Sequence, residues 1–316
     1  MQNVYAVNAL DSSIRFESTS GGLFSCIANH VLESGGSVCG AAFDENLKLK
    51  HVLINKSDEL NLLRRSKYLA SDAFESYKEI KKVLDEGKEV LFVGTPCQVS
   101  GLLSFLERKY ENLITVDFIC RGVNSPKAFE QWLKENEHTV SKTIKSVWFK
   151  YKVGGWKSSP TRTRIDYIDN SFVVLEGSNN LYMSAYLVDN IMLRPCCEHC
   201  KFKGLERNSD LTLGDFWGLH SKLDDDKGTS ILFINSKKGF DIFNSVSKYV
   251  EYEKECNFDY SNNPMFIKSV KRSRYTKKFL IELDKHSFST CLYKYRKIEN
   301  RFYKRVIRKI FIRNKQ

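Results

Sequence analysis

Nine cysteines are spread through the 316 residues, and two of them, Cys197 and Cys200, form a C-x-x-C pair inside Arg194-Pro195-Cys196-Cys197-Glu198-His199-Cys200. That spacing lets two thiolates from one tight turn reach a single metal centre. Soft thiolate sites that hold zinc or an iron-sulfur cluster normally need four ligands, so two more thiols are expected from elsewhere. Cys97 and Cys120 are candidates by their paired setting, although either alone is by default a buried structural cysteine. Glu89 to Val93 reads as a strand that runs into Gly94-Thr95-Pro96-Cys97-Gln98, and Leu113 to Ile119 reads as another that ends on Cys120-Arg121-Gly122. Two successive parallel strands separated by one helix place these cysteines side by side at the carboxyl edge of a sheet, where ligands usually bind. Spacing alone leaves zinc and an iron-sulfur cluster both open. Cys26, Cys39, Cys256 and Cys291 have no thiol neighbour in a comparable setting and are read as structural.

Three further stretches have chemical potential. Ser18-Thr19-Ser20-Gly21-Gly22 leads into an apolar-periodic helix from Leu23 to Leu32. Small hydroxyls and glycines before a helix suit a phosphate or pyrophosphate, and they equally suit an ordinary serine cap. Arg65 and Lys67, flanking Ser66 and followed by Tyr68, could meet an anionic, planar ligand, or could form a solvated turn. Lys152-Val153-Gly154-Gly155-Trp156-Lys157 is a Gly-rich loop that could cover a planar group or form a bulged hairpin. Asp224-Asp225-Asp226-Lys227-Gly228 lacks the alternating ligands of a calcium loop and reads as a solvated turn.

The elements that must hold these residues alternate. Strands are expected at Ser37–Phe43, Glu89–Val93 and Leu113–Ile119, with helices at Leu23–Leu32, Phe74–Glu86, Pro96–Lys109 and Pro126–Asn136; residues 4–16 show no clear period. Ile144–Tyr151, Thr161–Ile168 and Ser171–Leu175 then alternate as antiparallel strands, with Asp169-Asn170 as a hairpin turn. A helix over Asn180–Leu193 delivers the cysteine turn, Asp210–Asp215 is strand-like, Thr229–Asn235 is a strand and Gly239–Val250 a helix. The expected class is α/β, an N-terminal parallel sheet with flanking helices followed by an α+β part with antiparallel strands. The corresponding divisions are 1–140, 141–267 and a basic helical tail, 268–316.

Charge and composition narrow the function. Of 50 Lys+Arg and 38 Asp+Glu, residues 268–316 hold 17 and 3, so residues 1–267 hold 33 and 35. The body is nearly neutral, and a nucleic-acid partner is not expected. No apolar run reaches the roughly 20 residues needed to cross a bilayer, and the first ten residues lack a signal-peptide pattern, so a cytoplasmic protein with reduced thiols is expected. In the tail, Tyr295, Ile298, Phe302, Val306, Ile310 and Phe311 recur among cations. Such a stripe fits peripheral contact with an anionic inner membrane surface, and equally a helix docked on the body.

Six motifs in order, from Ser18 to Gly239, give the chain a specific resemblance: Ser20-Gly21-Gly22, Ser66-Lys67-Tyr68, Gly94-Thr95-Pro96-Cys97-Gln98, Asp117 to Gly122, Cys197-x-x-Cys200, and Asp210 to Gly218. The sequence resembles the coenzyme F420 hydrogenase and dehydrogenase beta subunits, in particular short bacterial members associated with polysaccharide gene clusters. The resemblance implies an oxidoreductase that binds FAD and a 4Fe-4S cluster. It implies Cys97, Cys120, Cys197 and Cys200 as cluster ligands, and Ser20, Gly21, Gly22, Ser66, Lys67 and Tyr68 as the flavin site. A small-molecule substrate follows, either a deazaflavin-type coenzyme or a glycan-pathway intermediate; no catalytic residue is identified. The chain departs from the family in having Cys120-Arg121-Gly122 where Cys-His-Gly is usual, and Cys196 where Ser is typical. It also lacks an N-terminal ferredoxin-type Cys-rich run, so electrons are expected from a separate carrier such as a ferredoxin. The alternative reading is a non-redox zinc-thiolate binding module.

Overall fold

The computed structural model describes residues 3–158, 161–255 and 258–298. Eleven strands are present among them: β1 (Asn3–Ala9), β2 (Ser37–Phe43), β3 (Leu49–Ile54), β4 (Val90–Val93), β5 (Leu113–Phe118), β6 (Ile144–Phe149), β7 (Thr163–Tyr167), β8 (Phe172–Leu175), β9 (Leu211–Asp215), β10 (Ser230–Ile234) and β11 (Val250–Glu255). Eight form one sheet in the order β11-β1-β10-β9-β5-β4-β2-β3, and β6-β7-β8 form a second, antiparallel one. The middle of the large sheet, β9-β5-β4-β2, is parallel; β3 adds at one edge and β10, β1 and β11 at the other, all antiparallel.

The parallel strands are apolar on both faces because helices cover both. Leu91 of β4, Ile114 and Val116 of β5 and Leu211 of β9 pack with α2 (Leu23–Glu33) and α8 (Lys237–Val246). On the other face Val90, Phe92 and Leu113 pack with α4 (Phe74–Asp85) and α5 (Pro96–Leu106). Each such buried side chain contributes about 1.5–3 kcal/mol, which holds the carboxyl ends of β4, β5 and β9 in fixed register. The α/β class expected from the sequence is the architecture observed, a large mixed sheet with helices on both faces and a smaller antiparallel sheet. No break in the large sheet coincides with the division at residue 140, since β9, β10 and β11 hydrogen-bond alongside β1 and β5.

Three local expectations are corrected. Residues 4–16 contain β1 and the short α1 (Ser12–Glu17). The alternation of β1 is blurred because it is paired on both edges and buries Val4, Ala6, Val7 and Ala9 on its two faces. The helix expected over Asn180–Leu193 is only α7 (Leu181–Ser184) followed by one wider turn, Ala185–Asp189, closed by Asn190 at φ 51°. Arg121 draws that segment out of helical register by donating to Leu187 O and Asn190 Oδ1, both at 2.8 Å. The helix expected to reach Val250 ends at Val246, and Val250 opens β11, whose Glu-Tyr-Glu-Lys-Glu run suits an exposed sheet edge. In the tail, residues 288–298 are helical and dock on the body: Tyr295 is buried, Ile298 packs on the same aromatic core, and Arg296 pairs with Asp189 at 2.6 Å. Phe302, Val306, Ile310 and Phe311 lie outside the described residues. Among the described residues no helix is long and apolar enough to cross a membrane.

Candidate active site

The turn after β4 and the turn after β5 lie side by side because the two strands pair in parallel, Val93 against Val116. The first carries Cys97 into the opening turn of α5, where Thr95 caps the helix and Pro96 takes the first position, needing no N–H there. The second carries Cys120. Cys197 and Cys200 come from the short turn at Pro195–His199, which is sewn to the second by hydrogen bonds from Arg194 N to Val123 O (2.9 Å) and from Ser125 N to Met192 O (3.0 Å). This closure requires Gly122. At φ +131°, a Cβ there would stand 2.5 Å from Leu193 Cδ1 and 3.1 Å from Cys197 Cβ. As a result Cys97, Cys120, Cys196, Cys197 and Cys200 line one hollow of about 70 Å³.

Burial disfavours the free thiolate at two of these cysteines. Burial pushes the Cys120 thiol up to about 12, against the opposing pull of the Lys203 ammonium. Burial also raises Cys197, offset in part by the Val123 backbone. Lys203 in turn is pulled down by burial and held up by Cys120 and Cys200; its ammonium donates to the carbonyls of Cys120 and Met265. An all-sulfur donor set fits a thiophilic metal centre, which deprotonates its thiols outright, and the half-buried Lys203 ammonium offsets the negative charge of the resulting thiolates. Behind the hollow Arg207 faces Asp117 at 3.6 Å, with both side chains almost fully buried. Burial raises Asp117 to about 6, more than Arg207, Thr212 and Ser209 lower it, and its Oδ1 has no hydrogen-bond partner among the described residues.

A second cavity, of about 490 Å³, adjoins the first. Cys120, Arg121 and Gly122, with Ser71, Thr95 and Gln98, line both and so form a common wall. The volume is that of an ordinary cofactor pocket. Ser20, Gly22, Ser66, Lys67 and Tyr68 line it; Gly21 does not. Gly21 packs instead against β1, where a Cβ would meet Val7 O at 2.2 Å; its carbonyl accepts from Ala9 N at 2.7 Å. Gly22, at φ +95°, turns the chain into α2, whose first residues, Leu23 and Phe24, line the cavity.

Lys67 is placed otherwise than its charge suggests. Its ammonium donates to Leu62 O (3.2 Å), Leu63 O (2.9 Å) and Arg64 O (2.6 Å) at the end of α3 (Leu60–Leu63). Burial, then the Arg65 guanidinium, lowers it to about 7. Arg65 and Tyr68 both adopt left-handed backbone, φ 73° and 50°, unusual for residues of their size. Arg65 lies over the Trp148 ring at 3.6 Å, and the Tyr68 ring meets Phe149 edge-on at 5.6 Å.

The Gly-rich loop braces the Ser18–Gly22 turn from outside. Trp156 Nε1 donates to Thr19 O (2.8 Å) and Lys152 Nζ to Ser20 O (2.6 Å), while Ser66 N donates to Thr19 Oγ1 (2.7 Å). Trp156 stacks on Trp217 at 4.4 Å, and the buried Lys150, ion-paired with Asp215, lies against both rings. Sequence reasoning did not single out Lys150, Asp117 with Arg207, or His51 and Ser71 in the cavity wall. Asp215 and Trp217 at least stand in the Asp-Phe-Trp-Gly motif; a lysine at the end of β6 carries no signal of its own.

The family model for the C terminus of the coenzyme F420 hydrogenase/dehydrogenase beta chain matches residues 87–256. A chain of the F420-reducing nickel-iron hydrogenase complex from Methanosarcina barkeri superposes with a TM-score of 0.54 at 15% identity, covering 93% of this chain and 90% of that one, a likeness of fold. No curated protein matches.

Proposed function

Because the chain belongs to the coenzyme F420 hydrogenase/dehydrogenase beta-subunit family, we propose that it is an iron-sulfur flavoprotein oxidoreductase with FAD in the larger cavity and a 4Fe-4S cluster in the cysteine hollow. One observation carries this reading: the hollow lined by Cys97, Cys120, Cys197 and Cys200 and the cofactor-sized cavity share a wall. When bound, a flavin exchanges electrons in pairs or singly and a cluster exchanges them singly. The chain's part is to hold the two next to each other, exclude water with the aromatic core behind Tyr68, and offset thiolate charge with Lys203.

The coenzyme F420 hydrogenase/dehydrogenase family is one of oxidoreductases, which favours a redox-active cluster over a single zinc ion with no redox chemistry of its own. The substrate is a small molecule, a deazaflavin-type coenzyme or a glycan-pathway intermediate, and a separate protein such as a ferredoxin exchanges single electrons with the cluster. The similar Methanosarcina chain comes from a hydrogenase complex, which supports a protein partner.

Anaerobic reconstitution of the full chain with iron, sulfide and FAD tests the reading. A brown protein with broad visible absorption, four irons and one releasable flavin per chain is expected. Colourless protein that takes up one zinc and no flavin would overturn it.

A further inference from the structure

The wall between the two cavities contains an unbroken run of hydrogen bonds, and nearly every proton in it can be assigned. Val93 O only accepts, so His51 Nε2, 3.2 Å away, carries the ring proton. His51 Nδ1 is then an acceptor and takes the hydroxyl proton of Ser71 at 3.1 Å. Burial, the largest influence on His51, keeps the ring neutral by lowering it to about 4. Gln98 is fixed at both ends. Its Nε2 donates to Ser71 O (3.2 Å) and Ser71 Oγ (2.9 Å), and its Oε1 accepts from Thr95 N (3.0 Å).

One proton is left with a choice. Thr95 Oγ1 is 3.0 Å from Gln98 Oε1 and 3.1 Å from Cys97 Sγ. A Cys97 thiol donates its S–H to Thr95 Oγ1, and the threonine hydroxyl then points to Gln98. A Cys97 thiolate has no proton to give and is the stronger acceptor, since it carries the charge. Gln98 keeps the Thr95 N–H in either state, so turning the hydroxyl toward the sulfur leaves no buried group without a partner.

We propose that Thr95 tunes the metal site: once Cys97 is bound as a thiolate, the Thr95 hydroxyl turns from Gln98 to the sulfur and raises the reduction potential of the cluster. The inference rests on the reading above that Cys97 is a ligand. No electron moves in the turn, and the thiol proton displaced by the metal leaves to solvent. A hydrogen bond to a ligating sulfur withdraws charge from it and so favours the reduced, more negative cluster. Gln98 and Ser71 are positioning residues, holding the alternative acceptor in place.

The test is a potentiometric titration of the anaerobically reconstituted full chain, followed by visible absorption and electron paramagnetic resonance, for wild type, Thr95→Val, Thr95→Ala and Thr95→Ser. Valine and alanine should retain iron and sulfide but lower the cluster potential, and serine should restore it to the wild-type value, while the flavin potential stays constant in all four. Alanine removes the hydroxyl without the bulk of valine, so poor folding of one variant does not block the test. Unchanged potentials in valine and alanine, or a serine shift as large as theirs, would overturn the role of the hydroxyl alone. A wild-type protein that takes up no iron would overturn the ligand reading and this inference together.

Discussion

Lys150 Nζ lies 2.6 Å from Asp215 Oδ2 with the lysine side chain only 3% exposed, beneath the stacked rings of Trp156 and Trp217. The pair ties the end of β6 in the small sheet to the carboxyl end of β9 in the large one. Removing one partner strands a buried charge, which typically costs about 3–5 kcal/mol. Lys150→Met or Asp215→Asn should therefore lower the urea midpoint strongly, and the double variant should recover part of the loss. Additive effects in equilibrium unfolding would show that the two do not act as a pair.

Asp117 gives the fold a pH dependence with a definite sign. Its folded value of about 6 is above the ordinary 3.8, so stability from this group is greatest at low pH and is lost as pH rises through about 6. A shift of this size corresponds to about 3 kcal/mol. Relative to Asp117→Asn, the wild type should become more stable on moving from pH 7 to pH 5. A difference that does not vary with pH would show that Arg207 fully compensates the buried carboxylate.

Single Cys97→Ser, Cys120→Ser, Cys197→Ser and Cys200→Ser variants should each lose most iron and sulfide after reconstitution. Cys26→Ser should keep both, since Cys26 is buried among Leu23, Ile27 and their neighbours on α2. Cys196→Ser should also keep them, because it is Cys197 whose Cβ the Gly122 turn approaches most closely. Iron loss from Cys196→Ser with retention in Cys197→Ser would exchange the two assignments.

Gly122→Ala should disrupt the hollow without touching a sulfur. The added methyl collides with Leu193 and the φ of +131° is itself unfavourable, a cost of about 1–3 kcal/mol. Cluster occupancy should fall, and Leu193→Ala in the same chain should restore part of it. Full occupancy in the single variant, by iron analysis, would mean the Cys197 turn has room to shift.

For the flavin, Gly22→Val should weaken FAD retention at least tenfold, because at φ +95° a branched residue is strained and its Cβ would press on Ala9 at 3.0 Å. Lys67→Glu should act in the same direction by repelling the carbonyl ends of α3 that Lys67 now caps. Equal FAD dissociation constants for both variants and the wild type, by fluorescence titration, would remove these segments from the cofactor site.

Legibility in the sequence followed local rules. The adjacency of Cys97 and Cys120 could be read because each follows an apolar run of strand length, and Thr95-Pro96 marks the start of a helix between them. The hairpin of β7 and β8 was equally clear from Asp169-Asn170, where Asn170 takes φ 64°. What escaped depends on distant partners. Lys67 looks like an anion ligand until the carbonyls of residues 62–64 are brought round to it, and Asn190 breaks a helical pattern because Arg121, nearly seventy positions earlier, claims its side chain. The charged β11 hides because its pattern belongs to a sheet edge and its preceding residues to a helix.

The place of β1 between β10 and β11 also bears on how the protein can be made. Val4 pairs with Phe233 and Glu255, both more than two hundred positions further along the chain. At a synthesis rate of roughly 5–20 residues per second, the first strand waits about 10–50 s for both of its neighbours to leave the ribosome. For most of that interval its apolar residues have no sheet to join, and before it ends the segments carrying the five cysteines of the hollow have emerged. Cellular yield should therefore depend on how well Val4, Ala6 and Val7 are shielded during the wait, and a chain stopped before residue 250 should be a substrate for chaperones and proteases even though every thiol of the hollow is present.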